Sequence, residues 1–381
     1  MSLKCGLLGE RLGHSLSPQI HAALGDYEYR LYEKRADEAA EFLLHGDYDV
    51  INVTIPYKKL AYELCAEVTD EAAELKNVNV VVKRFDGTLW GDNTDAYGFA
   101  KLVEAVGGVA EGGKCVVLGT GGAGATAMAV LRRMGAGSVV GVSRTGADNY
   151  ENLGRHADAL MVVNATPVGM FPKCDEAPVD LAVFGQCRAV IDLIYNPSPT
   201  KLLSQAERLG IRNVGGMAML KAQAEKASSY MNANIYLYGA PGSGKSTYAR
   251  KLAAEKAMAL VDLDAEIERI EGRSIAEIFD CEGEAAFRTI EKRELRRVAA
   301  GRGQVVALGG GALLDDESRA LAEATGRVVL IECDEATLLE RVRRSSARPL
   351  LSGDPADRLA NLLATRRQHY ASFKEVIKFR V

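Results

Sequence analysis

Several kinds of sequence signal are missing from this chain, and each absence narrows what the protein can be. The seven cysteines are odd in number and include no Cys-x-x-Cys pair, which predicts reduced thiols in a cytoplasmic protein. No run of about 18 consecutive apolar residues occurs, and the N-terminus "MSLKCGLLGERLGHS" reaches glycine and charge too early for a signal peptide. The sequence therefore predicts a protein that is neither secreted nor membrane-spanning.

An excess of charge of one sign is also lacking. Lys and Arg number 47 and Asp and Glu number 51, so the formal net charge is -4. This balance gives no sign of a nucleic-acid or anionic membrane surface, and any phosphate recognition is expected to be local. No repeat of solenoid length and no long low-complexity stretch is visible. Nucleic acids and membranes are therefore not expected as partners, and the oligomeric state stays open.

What the sequence does contain is an alternation of apolar runs and amphipathic segments over 381 residues. The apolar runs are typical of buried strands: "DVINVTI", "KCVVLG", "SVVGVS", "ALMVVNA", "RAVIDLI", "NIYLYG", "QVVALGG" and "RVVLIEC". Segments such as "TYARKLAAEKA" and "TIEKRELRRVAA" lie between such runs, and the alternation predicts parallel α/β sheets. The length indicates two or three domains, with the best seam near "EKASSYMNAN", before a strand that starts at Ile235.

A first glycine-rich loop, "VVLGTGGAG", lies between an apolar strand and a helix-forming run. Glycines there permit a tight turn and bring backbone N–H groups close to a pyrophosphate, although a plain strand-to-helix turn is the alternative. The next strand, "SVVGVSRT", places Arg144 where a dinucleotide fold meets the adenosine ribose. A guanidinium there suits a 2′-phosphate and favours NADP over NAD; the alternative is an exposed arginine at a strand end.

Polar clusters precede this loop, and each has a functional and a structural interpretation. In "GHSLSP", Ser15 and Ser17 can hydrogen-bond a carboxylate, while Ser17 would also suit the N-cap of a helix whose first residue is Pro18. In "NVTIPYK", Thr54 and Lys58 follow a buried strand, where a lysine partly shielded from water can donate a proton. Taken alone, Lys58 would more often be a solvated surface lysine.

Two more polar positions, Asn79 in "KNVNVVV" and Asp95 in "GDNTDAYG", complete a recognisable set; Asp95 would otherwise form only an Asx turn. The motifs "GxxxxHSxSPxxH", "NVTxPxK", "GxNTDxxG", "GxGGA", "SRT", "NATPVGM", "DLIYNPxxTKLL" and "GxxMLxxQA" occur in this order from Gly9 to Ala224. In content and order they resemble the motifs of shikimate dehydrogenases.

The resemblance implies that this part of the chain reduces 3-dehydroshikimate with NADPH. Lys58 would protonate the ketone oxygen as hydride is delivered, and Asp95 would orient Lys58 and a substrate hydroxyl. The substrate residues implied are Ser15, Ser17, Thr54, Asn79, Asp95, Tyr195 and Gln223. The NADP residues implied are Gly119, Gly121, Gly122, Ala123, Ser143, Arg144 and Thr145. Gln223 would return to the substrate lobe across a cleft.

Three departures from the family pattern matter. Ser143 stands where the family usually has asparagine, and "KNVNVV" departs from the family on both sides of Asn79. Only 18 residues, Gly146 to Val163, separate "SRT" from "NATPVGM", where the family has an additional helix and strand. The adenosine side of the sheet is therefore expected to be trimmed, and NADP affinity is expected to be weakened.

A second glycine-rich loop, "GAPGSGKST", matches the P-loop pattern G-x-x-x-x-G-K-S after an apolar strand and before a helix. Gly239 and Gly244 frame the pattern, and successive N–H groups form an anion nest. Lys245 is expected to neutralise the β- and γ-phosphates of ATP, and the Ser246 hydroxyl is expected to bind Mg²⁺.

Other residues must bind the phosphoryl acceptor. Asp262 and Asp264 in "VDLDAEI" are predicted to point the same way from a strand end, one towards the water shell of Mg²⁺ and one towards a substrate hydroxyl. Helix capping is the alternative. Arg288 and Arg366 can clamp a carboxylate with charge-assisted hydrogen bonds, although arginines on amphipathic helices are usually just solvated.

With "GRSIAEIFDCEGEAAFRTIE", "ALGGGAL", "RPLL" and "RRQHY", these residues resemble shikimate kinase over Asn234 to Val381. The resemblance assigns to shikimate Asp264, Arg288, Gly310 and Arg366, and to Mg²⁺ Ser246 and Asp262. It assigns to ATP Gly242, Gly244, Lys245, Ser246, Thr247 and Arg348. Arg348 would belong to a lid over ATP, and Asp264 would help to deprotonate the attacking 3-hydroxyl.

The kinase-like part also departs from its family. The printed sequence ends at "EVIKFRV", where the family continues through an adenine-contacting loop and a final helix. Poor adenine contacts are therefore expected, as is a sheet that takes cover from the first module. "QHYASFKE" also lacks the proline and the later alanine that are usual around this tyrosine, which weakens the assignment of Arg366.

Together these features predict a bifunctional α/β shikimate-pathway enzyme acting on small molecules. The expected division is residues 1–96 plus 206–226 for a substrate lobe, 97–205 for a Rossmann NADP lobe, 227–233 for a linker and 234–381 for a P-loop kinase domain. One alternative is a single catalytic module whose companion senses a nucleotide or metabolite or acts as a scaffold. Another is a quinate-preferring dehydrogenase with a vestigial kinase.

Overall fold

The computed structural model describes residues 3–13, 15–344 and 355–378, which form three β-sheets in succession. The strands of the first sheet are β1 (Lys4–Gly9), β2 (Glu28–Glu33), β3 (Val50–Val53), β4 (Glu67–Val68), β5 (Val80–Lys83) and β6 (Leu89–Asp92). Its helices are α1 (Ser17–His21), α2 (Ala36–His45), α3 (Lys58–Leu64) and α4 (Asp70–Leu75). The strand order is β2-β1-β3-β5-β6-β4.

The strands of this sheet begin and end at two opposite sides of it, and different loops lie at each side. β1 and β3 run parallel, whereas β5 is antiparallel to β3 and to β6. We call the edge at which β1 and β3 end the carboxyl edge, and the opposite edge, which includes the β5–β6 turn, the amino edge. Loops that follow β1 and β3 therefore meet at the carboxyl edge.

The second sheet is wholly parallel, in the order β11-β10-β9-β7-β8. Its strands are β7 (Lys114–Leu118), β8 (Ser138–Val142), β9 (Met161–Asn164), β10 (Ala189–Asp192) and β11 (Arg212–Gly215). The helices are α5 (Thr94–Ala105), α6 (Gly122–Arg133), α7 (Lys201–Arg208) and α8 (Gly216–Met231). Short 3-10 helices occupy Leu153–His156 and Leu181–Val183.

Two connections in this part bear on the predicted boundaries. β8 is the outermost strand, and only the 3-10 helix at Leu153–His156 lies between it and β9. The predicted boundary at residue 205 needs correction, because β11 pairs with β10 and so completes the second sheet. The chain leaves this sheet at Gly216, where α8 begins.

The third sheet is also parallel, in the order β13-β14-β12-β15-β16. Its strands are β12 (Asn234–Tyr238), β13 (Ala259–Asp262), β14 (Gln304–Ala307), β15 (Gly326–Glu332) and β16 (Glu375–Lys378). Its helices are α9 (Lys245–Lys256), α10 (Leu263–Glu271), α11 (Ile275–Ala299), α12 (Asp316–Thr325), α13 (Glu335–Arg344) and α14 (Pro355–Ala371). Over the described parts of the chain, no helix is both long enough and apolar enough to cross a membrane.

Strand residues of the second and third sheets alternate between two covered faces. Cys115 and Val117 of β7 pack into one hydrophobic cluster with Phe99 of α5, whereas Val116 and Leu118 pack into another. β12 alternates in the same way, with its tyrosines in one cluster and its isoleucine and leucine in another. Burial on both faces explains why these strands appear in the sequence as continuous apolar runs.

The connection between α8 and β12 is short, and it contacts the first part of the chain. α8 continues to Met231, so Asn232 and Ala233 alone connect it to β12, and the predicted linker of residues 227–233 is wrong. The small polar residues near the end of α8 belong to a partly buried helix. Asn232 Nδ2 donates to the Leu24 carbonyl at 3.0 Å, which fixes the junction to the first part of the chain.

The amino edges of the first and third sheets contact each other. Phe85, in the β5–β6 turn, packs against a hydrophobic cluster of the third sheet, and its N–H donates to Glu375 Oε1 at 2.9 Å. Glu375 pairs with Arg327, whose guanidinium carbon lies 4.8 Å from the centre of the Phe85 ring. Lys256 pairs with Asp49 beside this contact. The first part of the chain therefore covers the amino edge of the third sheet.

Candidate active sites

A cavity of about 370 Å³ opens at the carboxyl edge of the first sheet. Loops after β1 and β3, the start of α5 and the middle of α8 contribute to its wall. All the residues predicted for a substrate and its proton donor line it, namely Ser15, Ser17, Thr54, Lys58, Asn79, Asp95, Tyr195 and Gln223. One cavity thus unites positions from distant parts of the sequence.

Asp95 holds the hydrogen-bond network of this cavity together. Its Oδ2 accepts a hydrogen bond from Lys58 Nζ, and its Oδ1 accepts from Asn79 Nδ2 at 3.0 Å and from Gln223 Nε2 at 2.8 Å. The Lys58 and Asp95 side chains are 25% and 14% exposed, so water screens their attraction only in part. An ammonium group held in this way can deliver a proton into the cavity, and the carboxylate fixes its direction.

Four separate elements deliver these groups. Lys58 is the first residue of α3. Asn79 directly precedes β5, and its side-chain oxygen accepts a hydrogen bond from the Thr94 N–H at the start of α5, at 2.8 Å. Gln223 reaches the network because α8 packs closely on α5 at Gly98, where a Cβ would lie 2.7 Å from Gln223 Cγ. Glycine at that position therefore allows α8 to return to the first sheet.

The structure contradicts one of the sequence interpretations of the two serines in the cavity. Ser17 is itself the first residue of α1, and Leu16 occupies the N-cap without a side-chain hydrogen bond, so the N-cap role predicted for Ser17 is wrong. Ser15 Oγ instead accepts from the Ser17 N–H at 3.2 Å. This local turn leaves both serines on the cavity wall.

The glycine loop after β7 has space where a pyrophosphate would approach. Gly119 adopts a φ of +96°, and a Cβ on Gly124 would lie 1.9 Å from the Gly119 carbonyl oxygen, so the protein itself requires these two glycines. A Cβ on Gly121 or Gly122 would meet no atom within 4 Å, so packing does not require glycine there. Gly121 caps α6, with Ala123 in its first turn, and the unpaired N–H groups of that helix lie at this end. The loop therefore fits the pyrophosphate of NADP.

The residues predicted for the adenosine end follow the neighbouring strand. Ser143, Arg144 and Thr145 come directly after β8, which pairs in parallel with β7, so they share an edge with the glycine loop. The Ser143 N–H donates to the Asp148 carbonyl at 3.1 Å, while Arg144 and Thr145 are exposed. A guanidinium at this edge suits the 2′-phosphate of NADP.

The second glycine-rich loop follows β12. Gly239, Gly242 and Gly244 have φ values of +145°, +87° and +94°, in the region that favours glycine. Lys245 is the first residue of α9, and its Nζ donates to the carbonyls of Gly239 and Ala240 at 2.8 and 3.0 Å. The ammonium group therefore lies against the same loop whose N–H groups form the predicted anion nest.

Two side-chain oxygens beside this loop fit a magnesium ion. Ser246 Oγ donates to Asp262 Oδ2 at 2.8 Å, and Asp262 Oδ1 caps α10 by accepting from the Ala265 N–H at 3.4 Å. Ser246 and Thr247 are exposed on the first turn of α9. In the part of the chain that the structure describes, no group of three or more His, Cys, Asp or Glu side chains could hold a metal. An ion at this position would complete its shell with water and phosphate oxygens.

Asp264 does not lie on a strand as the sequence suggested. β13 ends at Asp262, so Asp264 belongs to the first turn of α10 and the alternation of strand side chains does not apply to it. A Cβ on Gly309 would lie 3.0 Å from Asp264 Oδ1 and 2.6 Å from Glu291 Oε1. Both carboxylates therefore reach the glycine run that follows β14.

Two arginines converge on the same glycine run. Arg366 Nη1 donates to the Gly310 carbonyl at 2.7 Å, and a Cβ on Gly311 would lie 2.7 Å from Arg288 Nη1 and Nη2. Arg288 Nη1 also donates to Glu291 Oε2 at 2.6 Å. The structure thus brings together the predicted acceptor residues Asp264, Arg288, Gly310 and Arg366.

Known proteins resemble the two parts of this chain separately. The family model of the shikimate dehydrogenase substrate binding domain matches residues 7–81, and that of shikimate kinase matches residues 241–379. A shikimate dehydrogenase (NADP(+)) from Clostridium perfringens is 33% identical over 248 residues, which are 60% of this chain and 91% of the relative. A shikimate kinase from Symbiobacterium thermophilum is 44% identical over 146 residues, which are 38% of this chain and 84% of the relative.

The chain belongs to the shikimate dehydrogenase family in its N-terminal part and to the shikimate kinase family in its C-terminal part. A crystal structure of shikimate 5-dehydrogenase from Thermus thermophilus, in complex with NADP(H) and shikimate, matches the dehydrogenase module with a TM-score of 0.54. The sequence identity is 30%, and the match covers 59% of this chain and 92% of that one. These matches confirm the predicted α/β fold and the predicted fusion.

Sequence reasoning missed several residues that shape the cavity of the dehydrogenase module, among them a histidine, an asparagine and a tyrosine. His21 and Asn52 line it, and Tyr29 donates from its hydroxyl to Asn52 Oδ1 at 2.9 Å while its ring stacks on His21. Burial lowers the pKa of His21 to about 4, so its ring is neutral at pH 7. A signal existed, because His21 ends the quoted pattern "HSxSPxxH" and Asn52 begins "NVTxPxK".

In the kinase module the missed residues are Glu291 and Arg341. Glu291 is 3% exposed, and burial raises the pKa of its carboxyl group, which Arg288 offsets only in part. Its position was available as the last residue of "GEAAFRTIE". Arg341 Nη1 donates to the Gly242 carbonyl at 3.1 Å and so links α13 to the P-loop. The predicted lid residue Arg348 lies outside the described residues.

Proposed function

We propose that the protein is a bifunctional enzyme that reduces 3-dehydroshikimate to shikimate with NADPH and then phosphorylates shikimate with MgATP. The observation that carries the proposal is the convergence of the predicted residues at two separate sites, one in each family module. The product of the proposed first reaction is the acceptor in the second. The two modules thus have consecutive proposed reactions.

We propose a division of the chain that follows the sheets. The substrate lobe comprises residues 1–96 together with α8, and the NADP lobe ends with β11 at Gly215. The kinase domain begins with β12 at Asn234. A cytoplasmic location is part of the proposal, and the seven cysteines, all of them unpaired, support it.

In the proposed reduction, the Lys58 ammonium group gives its proton to the ketone oxygen while hydride reaches the carbonyl carbon, which leaves a secondary alcohol. NADPH supplies this hydride when it is bound at the glycine loop. Asp95 accepts on both oxygens, which supports a role in orienting Lys58 and a substrate hydroxyl. Lys58 is 25% exposed, so water can restore its proton. Ser15, Ser17 and Tyr195 are proposed partners of the substrate carboxylate.

In the proposed phosphorylation, Arg288 and Arg366 hold the carboxylate of shikimate, and Asp264 accepts the proton of the attacking hydroxyl. A bond forms from that oxygen to the γ-phosphorus while the bond to the bridging oxygen breaks, and ADP leaves. Lys245 and the loop N–H groups neutralise the developing charge. Ser246 and Asp262 are the proposed protein partners of Mg²⁺, which neutralises the phosphates when bound.

The test measures each reaction separately, with the full chain as the enzyme. We expect NADPH absorbance to fall with 3-dehydroshikimate, and ADP and shikimate 3-phosphate to form when shikimate and MgATP are added. Absence of either reaction would reduce the corresponding module to a binding or scaffolding role. Faster oxidation of quinate than of shikimate with NADP⁺ would favour a quinate-preferring dehydrogenase.

Lys58→Ala sharpens the test of the first reaction. Loss of a general acid typically lowers kcat about 10²- to 10⁴-fold, and we expect a decrease of that order in NADPH oxidation. Lys59→Ala is the matched control, because Lys59 is the next residue on α3 and is exposed, and we expect kcat to stay within about twofold of the original value. Equal effects of the two substitutions would contradict the role of Lys58.

A further inference from the structure

Both active sites lie at carboxyl edges. In the dehydrogenase module the cavity is bounded by the loops after β1 and β3 and by the start of α5. In the kinase module Lys245 follows β12, Asp262 ends β13 and Gly310 follows β14, and these parallel strands all end on one side. The amino edge of each sheet carries none of the site residues proposed above.

The contacts between the modules are at the amino edges. On the dehydrogenase side, Asp49 directly precedes β3 and Phe85 lies in the β5–β6 turn. On the kinase side, Glu375 is the first residue of β16, Arg327 is the second residue of β15, and Lys256 ends α9, which returns to the start of β13. Because the same edge of each sheet is used, the modules are joined back to back.

This join is packed and partly buried. Glu375 is 7% exposed, and it pairs with Arg327 and accepts from the Phe85 N–H. Arg327 Nη2 also donates to the Lys83 carbonyl at 3.2 Å. The ion pairs Lys374 with Glu67 and Lys256 with Asp49 also cross the join. These contacts, together with the short passage at residues 232–233, fix the modules in the back-to-back arrangement.

The arrangement separates the two sites. β3 has four residues and β12 has five, so each carboxyl edge lies a full strand away from the amino edges that meet at the join, about 13 and 17 Å at roughly 3.3 Å per residue. The dehydrogenase cavity is lined by residues between Leu7 and Ala224, and none of the described kinase residues contributes to it. A product that leaves this cavity therefore emerges on the side of the molecule away from the kinase site.

We propose that shikimate passes from the first site to the second through bulk solvent, so the fusion does not channel the intermediate. The inference rests on the proposed function, because it requires both reactions. Covalent linkage raises the effective concentration at a second site only when geometry lets the released molecule meet it. Sites that open on opposite sides do not meet this condition, and the kinase draws on the same pool as any other consumer of shikimate.

Isotope dilution on the full chain tests the proposal. Radiolabelled 3-dehydroshikimate is supplied with NADPH and MgATP, together with unlabelled shikimate in known excess over the shikimate being formed. We expect the specific radioactivity of shikimate 3-phosphate to equal that of the bulk pool, so that an excess of about tenfold lowers it about tenfold. Label that reaches the product undiluted would overturn the proposal.

A second measurement compares the intact chain with a mixture of Lys58→Ala and Lys245→Ala chains, in which the two sites reside on different molecules. The concentrations are matched by the measured rates of each separate reaction. We expect the lag before shikimate 3-phosphate appears to be the same in both samples, whereas a shorter lag for the intact chain would overturn the proposal. Failure of either separate reaction in the unsubstituted chain would instead refute the proposed function.

Discussion

The two glycine-rich loops share a layout of strand, turn and helix but use it differently. After β7, Gly121 and Gly122 leave open space beside the start of α6, and no lysine or arginine occurs in the turn. After β12, the turn ends in Lys245, whose ammonium group contacts the carbonyls of Gly239 and Ala240. The first loop therefore offers backbone N–H groups without a cationic side chain, and the second adds the Lys245 ammonium group.

The difference follows from what is proposed to happen to the phosphates. The pyrophosphate of a dinucleotide stays intact, so N–H groups and a helix terminus suffice to bind it. A phosphoryl group in transfer spreads negative charge over its oxygens, and a lysine and a metal ion stabilise that charge. In this chain the lysine at the end of the second loop fits a role in phosphoryl transfer, and the first loop, which lacks it, fits a role in binding.

Removal of magnesium should produce the largest difference between the reactions at the two loops. With a chelator in excess, we expect formation of ADP to fall to the assay background, because Ser246 and Asp262 cannot neutralise the phosphates in place of the metal. We expect NADPH oxidation to stay within about twofold, since the dinucleotide loop binds through N–H groups. The two rates are measured on one sample, and added Mg²⁺ should restore the first. A parallel loss of both rates would contradict the comparison.

Lys245→Ala should have the next largest effect. Removal of one group that stabilises transition-state charge typically costs about 10²- to 10³-fold in kcat, and we expect a decrease of that order in ADP formation. The control is Lys251→Ala on the same helix, whose side chain is 61% exposed. A similar loss in the two variants would mean that helix stability, and not the loop, had been altered.

Gly122→Asp tests the first glycine loop by adding a negative charge to it, whereas Lys245→Ala removes a positive charge from the second loop. The carboxylate would repel a pyrophosphate, and we expect the KM for NADPH to rise about tenfold or more. An acidic residue in the first turn of α6 stabilises the helix by roughly 0.3–1 kcal/mol, and the position has open space, so the melting temperature should not fall. Gly122→Ala serves as the uncharged control. An unchanged KM would show that no pyrophosphate approaches this turn.

Arg144→Ala should have the smallest effect, and it concerns the cofactor choice of the first loop. Arg144 is exposed, so we expect the preference for NADPH over NADH to fall by about tenfold, or about 1.4 kcal/mol. The KM for NADH should change little, because NADH lacks the 2′-phosphate. Arg155→Ala, at another exposed position in this lobe, should leave the preference intact. A preference that survives Arg144→Ala would remove this residue from the cofactor site.

Much of this architecture could be predicted, because strands buried on both faces appear as continuous apolar runs. The start of α10 could not, since "VDLD" alternates apolar and acidic residues like a strand, whereas β13 ends at Asp262 and α10 begins at Leu263. The end of α8 was misread for a related reason. Its serines suggested a linker, but tertiary packing extends the helix to Met231.

The candidate sites were predictable to the extent that motifs mark them. All the predicted substrate residues of the dehydrogenase module line one cavity, yet His21, Asn52 and Glu291 were passed over although they stand inside the motifs. A motif does not say which of its positions face a ligand. The contact of Phe85 with Glu375 joins residues 290 apart, and nothing in "RFDGT" distinguishes this turn from an exposed hairpin.

The position of Phe85 has a consequence for separation of the two modules. Its ring belongs to the dehydrogenase module but packs against the same kinase-module cluster as Tyr248, Met258 and Ile377. A gene split at Ala233 would expose the apolar surface of this contact on one product and the Phe85 ring on the other. Each module therefore has an apolar surface at the join that the other module covers.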